Sequence, residues 1–338
     1  MNILIIGAGW FGCHIAKILN ESGVKVTIFE KDSEIFASMS GNNSNRLHKG
    51  FHYPRASITR KQCVLGFRDF KKIYPFLCKK ISNNYVAIHS ESKVSFSKYL
   101  EIMDAENLDY EIVENSYKLN NTQGIIKCDE ELIDFQKAKK FFNKYFNENN
   151  INLQLNTNFN NNENFSSKLR TKFSYIIDCT ACTLETSYDN NILYEPRITL
   201  LYKSNIKNFA LMFMDGPFWS IYPQSDDKYT IGSVIHSRIS NGLKSFYEAK
   251  NLINSFGKED LENKIINFET QILNDFDKFK QYFNFYGYYL SLATLFDSKD
   301  DERPLKLYNK NNFISILGGK IDTVIEAGNK IKEIVLQK

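Results

Sequence analysis

Apolar positions follow two rhythms along this chain. Residues 2–6 read Asn-Ile-Leu-Ile-Ile, a nearly unbroken apolar run of the kind a parallel strand buried on both faces requires. Over 8–19 the spacing turns helical through Phe11, Ile15, Ile18 and Leu19, and Gly23 ends it. Lys-Val-Thr-Ile-Phe at 25–29 is a second short strand, closed by Glu30. The first thirty residues therefore predict strand, glycine turn, helix, strand.

Beyond this unit the rhythm breaks at 38–57, where Ser, Asn, Arg, His and aromatic residues gather as in a loop folded around a polar ligand. A helix is expected over 59–73, short β-like runs alternating with polar turns over 84–132, and a helix over 134–146 with Asp134 as its N-cap. Residues 151–155 read as a strand and 156–164 as an Asn-rich loop. A buried strand at 175–179 precedes four strands of an antiparallel sheet at 197–203, 210–214, 219–222 and 229–236. A charge-mixed helical stretch is expected over 243–296, then a buried strand at 313–317, a Gly318-Gly319 turn and an amphipathic helix over 322–336. The chain opens and closes in the same α/β material.

At 338 residues the chain exceeds what one growing core serves, so two closely joined domains are expected. Aromatic residues make up 14%, with 27 Phe and 19 Tyr to pack or to line a cavity. The formal charge of +4 is too small and dispersed to argue for nucleic acid or a membrane surface, so the expected partner is a small molecule. Six irregularly spaced cysteines read as reduced thiols; the Cys179/Cys182 pair lacks a second pair or a nearby His, and no metal is expected. Without a run of 18 apolar residues, and with glycines interrupting the apolar start, no membrane insertion and a cytoplasmic location are expected. Aromatic residues at 283–289, expected in a helix or loop, could line a pocket or pad the interface of a homo-oligomer.

The strongest motif is Gly7-Ala8-Gly9-Trp10-Phe11-Gly12, between a strand and a helix. Gly7 makes the tight turn, Gly9 lets the backbone approach a diphosphate, Gly12 allows close helix–strand packing, and the helix start meets the phosphates. Glu30, followed by Lys31, would accept hydrogen bonds from adenosine ribose hydroxyls. FAD and NAD share this fingerprint. The far end of the chain discriminates, because Gly318-Gly319-Lys320-Ile321-Asp322-Thr323 opens a helix whose positive end suits the electron-rich edge of a reduced flavin.

With these residues in view, the chain resembles the FAD-dependent oxidoreductases of the D-amino-acid oxidase type, the superfamily holding glycine oxidase, sarcosine oxidase and the flavin glycerol-3-phosphate dehydrogenases. The resemblance implies that Ser38, Ser40, Asn45, Arg46 and Leu47 wrap the diphosphate, ribityl chain and flavin edge. Arg46-Leu47-His48-Lys49-Gly50 is similar to the Leu-Ile-His-Gly-Gly stretch of the glycerol-phosphate enzymes. Thr180 and Ala181 stand at the family's Ala-Thr-Gly segment beside the cofactor, with the final Gly absent. Arg303 matches an Arg-Pro position that in amino-acid oxidases binds a substrate carboxylate, for which a guanidinium fork is suited. His48 and His52 are candidates for taking a substrate proton, with Tyr53, Arg55 and Tyr222 as further substrate contacts; either His could instead only brace the loop.

The expected fold is α/β, a Rossmann-like FAD-binding domain with a βαβ start and a mixed or parallel sheet, carrying an inserted antiparallel β-sheet substrate domain. Residues 1–80, 150–190 and 300–338 would form the first, and 81–149 and 191–299 the second. The expected activity is hydride transfer from a C–N or C–O carbon of a small polar, anionic substrate to FAD. Two alternatives stay open: a flavin enzyme acting on a sugar nucleotide in surface-polysaccharide biosynthesis, by oxidation or mutase chemistry, and a non-catalytic flavin- or nucleotide-binding protein.

Overall fold

The computed structural model describes residues 1–159, 169–184, 191–297, 305–318 and 320–337. The apolar run at the start becomes the strand Asn2–Ile6, which lies inside a six-stranded sheet and pairs in parallel with Lys25–Phe29 on one side and Tyr175–Asp178 on the other. Phe313–Leu317 and the edge strand Lys306–Lys310 extend the sheet beyond Tyr175–Asp178, and Asn152–Gln154 closes the other edge. Only the Lys306–Lys310 pairing is antiparallel.

Strand alternation sends Ile3 and Ile5 into one core and Leu4 and Ile6 into another. Helices Trp10–Glu21, Ser57–Ile73 and Val324–Leu336 cover the first face with Ile15, Leu19, Phe67, Phe70, Ile331 and Val335. Phe135–Glu148, capped by Asp134, adds Ala138, Phe142 and Phe146 to this same core, although its sequence position suggested the other domain.

An eight-stranded sheet runs in the order Phe283–Phe296, Ile192–Ser204, Lys228–Ser233, Trp219–Pro223, Phe209–Met214, Asn83–His89, Thr122–Cys128, Tyr110–Val113. Its pairings are antiparallel except that between Phe209–Met214 and Asn83–His89. Helix Lys258–Asp275 packs Phe268 and Ile272 onto one face, against Ile198, Leu200, Leu211 and Ile231.

Two expectations are corrected here. The stretch 243–296 is helical only through Phe246–Ser255, Lys258–Asp275 and the short Phe279–Tyr282, after which residues 283–289 enter a long edge strand. Phe and Tyr favour strands, and Ile192–Ser204 offers pairing from Ile192–Phe296 to Ser204–Phe283 with one irregularity at Leu201/Tyr202. Within 84–132 a helix, Phe96–Ala105, interrupts the strands, started by Ser95 Oγ accepting from the Lys98 N–H. A small third sheet joins Arg46–Leu47, Glu131–Ile133 and Cys78–Lys80.

Candidate active site

The first glycine turn is tight where the sequence demanded it. Gly7 has φ +94°, and a Cβ there would lie 3.1 Å from the Cys179 carbonyl oxygen just past the neighbouring strand. A Cβ on Gly12 would fall 1.9 Å from the Gly7 oxygen, so only glycine lets the helix lie this close to the strand. At Gly9 the obstacle would be Ser40 Oγ, 2.7 Å away. No side chain caps this helix through Gly9, while Ser40 Oγ accepts from the Trp10 N–H at 3.1 Å. Trp10 itself turns inward, packing edge-on to Phe70 and Phe142. Glu30 is 7% exposed and accepts from the N–H groups of Ala8 at 2.6 Å and Asp32 at 3.0 Å, which holds its carboxylate beside the turn. Lys31 stands at the adjacent rim, and Ser38 donates to Asp32 Oδ2 at 3.2 Å.

The second turn meets the first. Phe313–Leu317 is one strand removed from Asn2–Ile6, and a Cβ on Gly318 would lie 2.2 Å from Phe11 Cζ. Gly319 lies outside the described residues. The Lys320 ammonium sits 3.4 Å over the Tyr53 ring and 3.5 Å from Cys63 Sγ. Ile321–Thr323 form a 3₁₀ turn, with Thr323 Oγ1 donating to the Lys320 carbonyl at 2.8 Å, so the last helix starts later than the spacing suggested. Asp322 is buried, and burial pushes its carboxyl above the usual carboxylate range, as it pushes the nearby Cys63 thiol up. Helix Ser57–Ile73 approaches this turn through Gly66, where a Cβ would lie 2.1 Å from the Asp322 oxygen.

The loop at 46–55 brings its polar side chains to one wall. The His48, His52 and Tyr53 rings cluster with centroids 4.9 to 5.8 Å apart. His52 Nδ1 contacts the Met212 sulfur on the eight-stranded sheet. Arg55 pairs with Asp215. Arg46 is buried, donates to Glu130 at 2.9 Å, and lies 4.0 Å over the Tyr222 ring. Tyr222, expected to touch substrate, is thus a buried platform under Arg46 and does not line the cavity. Asn45, at φ +50°, and Leu47 are also buried away from the cavity; Leu47 joins the first core. Arg303 lies outside the described residues.

On the strand between the two turns, Asp178 accepts from both the N–H and the hydroxyl of Thr180, at 2.8 and 2.6 Å. That local turn throws Ala181 to φ +57°, the left-handed conformation that glycine takes without strain.

These elements enclose a cavity of about 1990 Å³, well above the usual few hundred to 1,000 Å³ of small-molecule sites. Gly7, Gly9, Trp10, Phe11, Glu30, Lys31, Ser38 and Ser40 line one end. Arg46, His48, His52, Tyr53, Arg55, Thr180, Ala181 and Gly318 surround its middle. Gly12, Lys320, Ile321, Asp322 and Thr323 stand behind the lining. The helix start at Gly9, which lacks a cap from its own N-cap residue, the meeting of the two glycine turns and the volume fit a dinucleotide that continues into a planar ring system.

Sequence reasoning missed several residues. Arg60 donates to the carbonyls of Tyr53 and Pro54 and so shapes the histidine loop, Glu130 holds Arg46, and Gly66 seats the second turn. Arg197 and Arg238 line the far end of the cavity, both paired with buried Glu195. Glu130 carried no local motif. An arginine two places from a glutamate on a strand does put both on one face, and that signal was available for Arg197.

Comparison with known proteins agrees with this geometry. The model of the DAO family, described as FAD dependent oxidoreductase, matches residues 2–121. The chain is 28% identical over 337 residues to the FAD-dependent monooxygenase FPY4 of Fusarium mangiferae, covering 98% of this chain and 90% of that protein. It is 33% identical over 98 residues to the mitochondrial L-2-hydroxyglutarate dehydrogenase of Caenorhabditis briggsae, covering 27% and 22% of the two chains. Among solved structures, the dithionite-reduced L-α-glycerophosphate oxidase of Mycoplasma pneumoniae with FAD bound superposes with a TM-score of 0.73 at 15% identity, over 100% of this chain and 95% of that one.

Proposed function

We propose that this chain, similar to the FAD dependent oxidoreductases of the DAO family, uses FAD to oxidise a C–N or C–O carbon of a polar, anionic substrate in the cavity between its two large sheets. The observation that carries this reading is the meeting of Gly318 with Phe11, which joins glycine turns from opposite ends of the chain at the mouth of one strand. The start of Trp10–Glu21 would hold the diphosphate of FAD, Glu30 its ribose, and the Gly318 turn with the loop at 46–55 its ring. Bound there, FAD supplies the acceptor for a hydride from the substrate carbon.

The remaining work falls to this chain. His52, held from behind through its Nδ1 contact with Met212, and His48 beside it are the groups that take the substrate proton. Arg60 fixes the backbone that carries them. Arg46, Arg55, Arg197 and Arg238 line the cavity and favour an anion.

The absorbance spectrum of the purified protein, recorded before and after acid precipitation, tests the cofactor. Flavin bands recovered in the supernatant are expected, and a protein that neither carries flavin nor takes up FAD overturns the reading. Once a substrate is in hand, His52→Asn is expected to lower kcat about 10²- to 10⁴-fold without loss of flavin. An unchanged kcat in both His52→Asn and His48→Asn would remove the histidines from the chemistry.

A further inference from the structure

Arg197 and Arg238 form a built structure at the end of the cavity away from the dinucleotide turn. Glu195 is 3% exposed, and its two oxygens separate the arginines, Oε1 taking Arg197 and Oε2 taking Arg238 Nε at 3.1 Å. The two arginines face each other across an antiparallel bridge. Lys264 reaches up from Lys258–Asp275 to the carbonyls of His236 and Arg238 and fastens the segment that carries the second one. Lys250 and the 60% exposed Tyr247, both on Phe246–Ser255, line the same rim. Four cationic side chains, Arg197, Arg238, Lys250 and Lys264, thus gather around the Glu195 carboxylate at this corner.

A buried glutamate costs stability unless paired, and one arginine would satisfy it. Two arginines go beyond that need, and their shared anchor holds two long side chains in place before any ligand arrives, which lowers the ordering cost of binding. Glu195 meets Arg238 at Nε, the side chain is 45% exposed, and a guanidinium carries five N–H donors in all. Fork-shaped donors in a fixed pair, with a lysine beside them, suit the tetrahedral oxygens and double charge of a phosphoryl group.

The sheet gives the distance from this corner to the histidines. Met212 pairs with Ser220, Ser220 with Gly232, and Thr199 lies one residue before the Leu200–Ile231 pair, so these four cross adjacent strands along the cavity floor. Three strand spacings make roughly 14 Å from Met212, where His52 rests, to the strand that carries Arg197. The crossed residues are small or hydroxylated between those ends, which leaves room for a polar body above them.

Resting on the function proposed above, the geometry points to an elongated substrate whose phosphoryl group is held by Arg197, Arg238 and Lys250 while the carbon to be oxidised lies near His52. The probe is pyrophosphate, titrated into flavin-loaded protein at constant ionic strength while the thermal midpoint and the flavin absorbance are followed. The midpoint is expected to rise in the wild type, and the concentration needed is expected to increase at least tenfold in Arg238→Met and in Lys250→Met, with flavin content unchanged. Lys250 is exposed on its helix, so its variant keeps the test valid should Arg238→Met fold poorly. A wild type that pyrophosphate leaves unmoved, or variants that respond like it, overturns the phosphoryl site. Protein lacking flavin would sink the oxidoreductase reading separately, since the same titration compared between wild type and Lys250→Met still reports on this corner.

Discussion

Two glycines three residues apart do different work. At Gly12 an added methyl would meet backbone at 1.9 Å, so Gly12→Ala is expected to cost about 1–3 kcal/mol of stability, read as a lower urea midpoint. At Gly9 the obstacle is the Ser40 hydroxyl, which can rotate away. Gly9→Ala is therefore expected to keep its circular dichroism and urea midpoint while flavin retention falls about tenfold. If both variants lose stability equally, Gly9 is a packing glycine too. Ala181 is the converse case: at φ +57° it carries a strain of about 1 kcal/mol that glycine would relieve, partly offset by chain entropy, so Ala181→Gly is expected to raise the urea midpoint slightly rather than lower it. The family pattern has glycine at this place, and the sequence showed the departure; only the backbone shows that the left-handed geometry persists without it. Single residues were legible where a motif fixes geometry, as at Gly7 and Gly12. Tyr222 was not, because its neighbour Arg46 lies far away in sequence and reaches it only through the fold.

Helices Trp10–Glu21 and Val324–Leu336 pack together at His14, which bonds Tyr74 through Nδ1 at 2.7 Å and faces Gly328. Burial, reinforced by Lys17, lowers its pKa from 6.5 to about 3. Above pH 6.5 the ring is neutral in folded and unfolded chains alike. As pH falls below 6.5 the unfolded chain takes up a proton that the folded one refuses, so stability is lost progressively down to about pH 3, by several kcal/mol in all. His14→Gln, which can still bond Tyr74 but does not titrate, is expected to flatten the dependence of urea stability on pH between 6 and 4; equal slopes in the two proteins would contradict it. Elements were legible in the sequence where their periodicity was internal, as in Asn2–Ile6, Ser57–Ile73 and Phe135–Glu148. The edge strand Phe283–Phe296 was not, since its conformation comes from pairing with residues about ninety positions earlier rather than from its own pattern.

At the scale of the molecule, FAD is expected to join what the two large sheets only face across. A ligand present at 100 times its dissociation constant adds about 2.7 kcal/mol to the folded state. Stripping FAD is thus expected to lower the thermal midpoint, and restoring it to recover the original value; a midpoint indifferent to FAD would place the flavin on the surface. The alternation of α/β and β material, and the return of the chain to its first sheet near residue 313, could be read from the sequence. The parallel pairing of Phe209–Met214 with Asn83–His89 could not, because nothing in either segment records the direction of its neighbour.

The order of strands in the six-stranded sheet also sets a timetable for biosynthesis. Asn2–Ile6 is made well before one of its flanks, Tyr175–Asp178, and Phe313–Leu317 beyond that flank is made later still. Until residue 317 has been added, a face rich in isoleucine stays incompletely covered and the proposed flavin cradle is half built. A chain released before residue 317 is therefore expected to leave that face open and to retain no flavin.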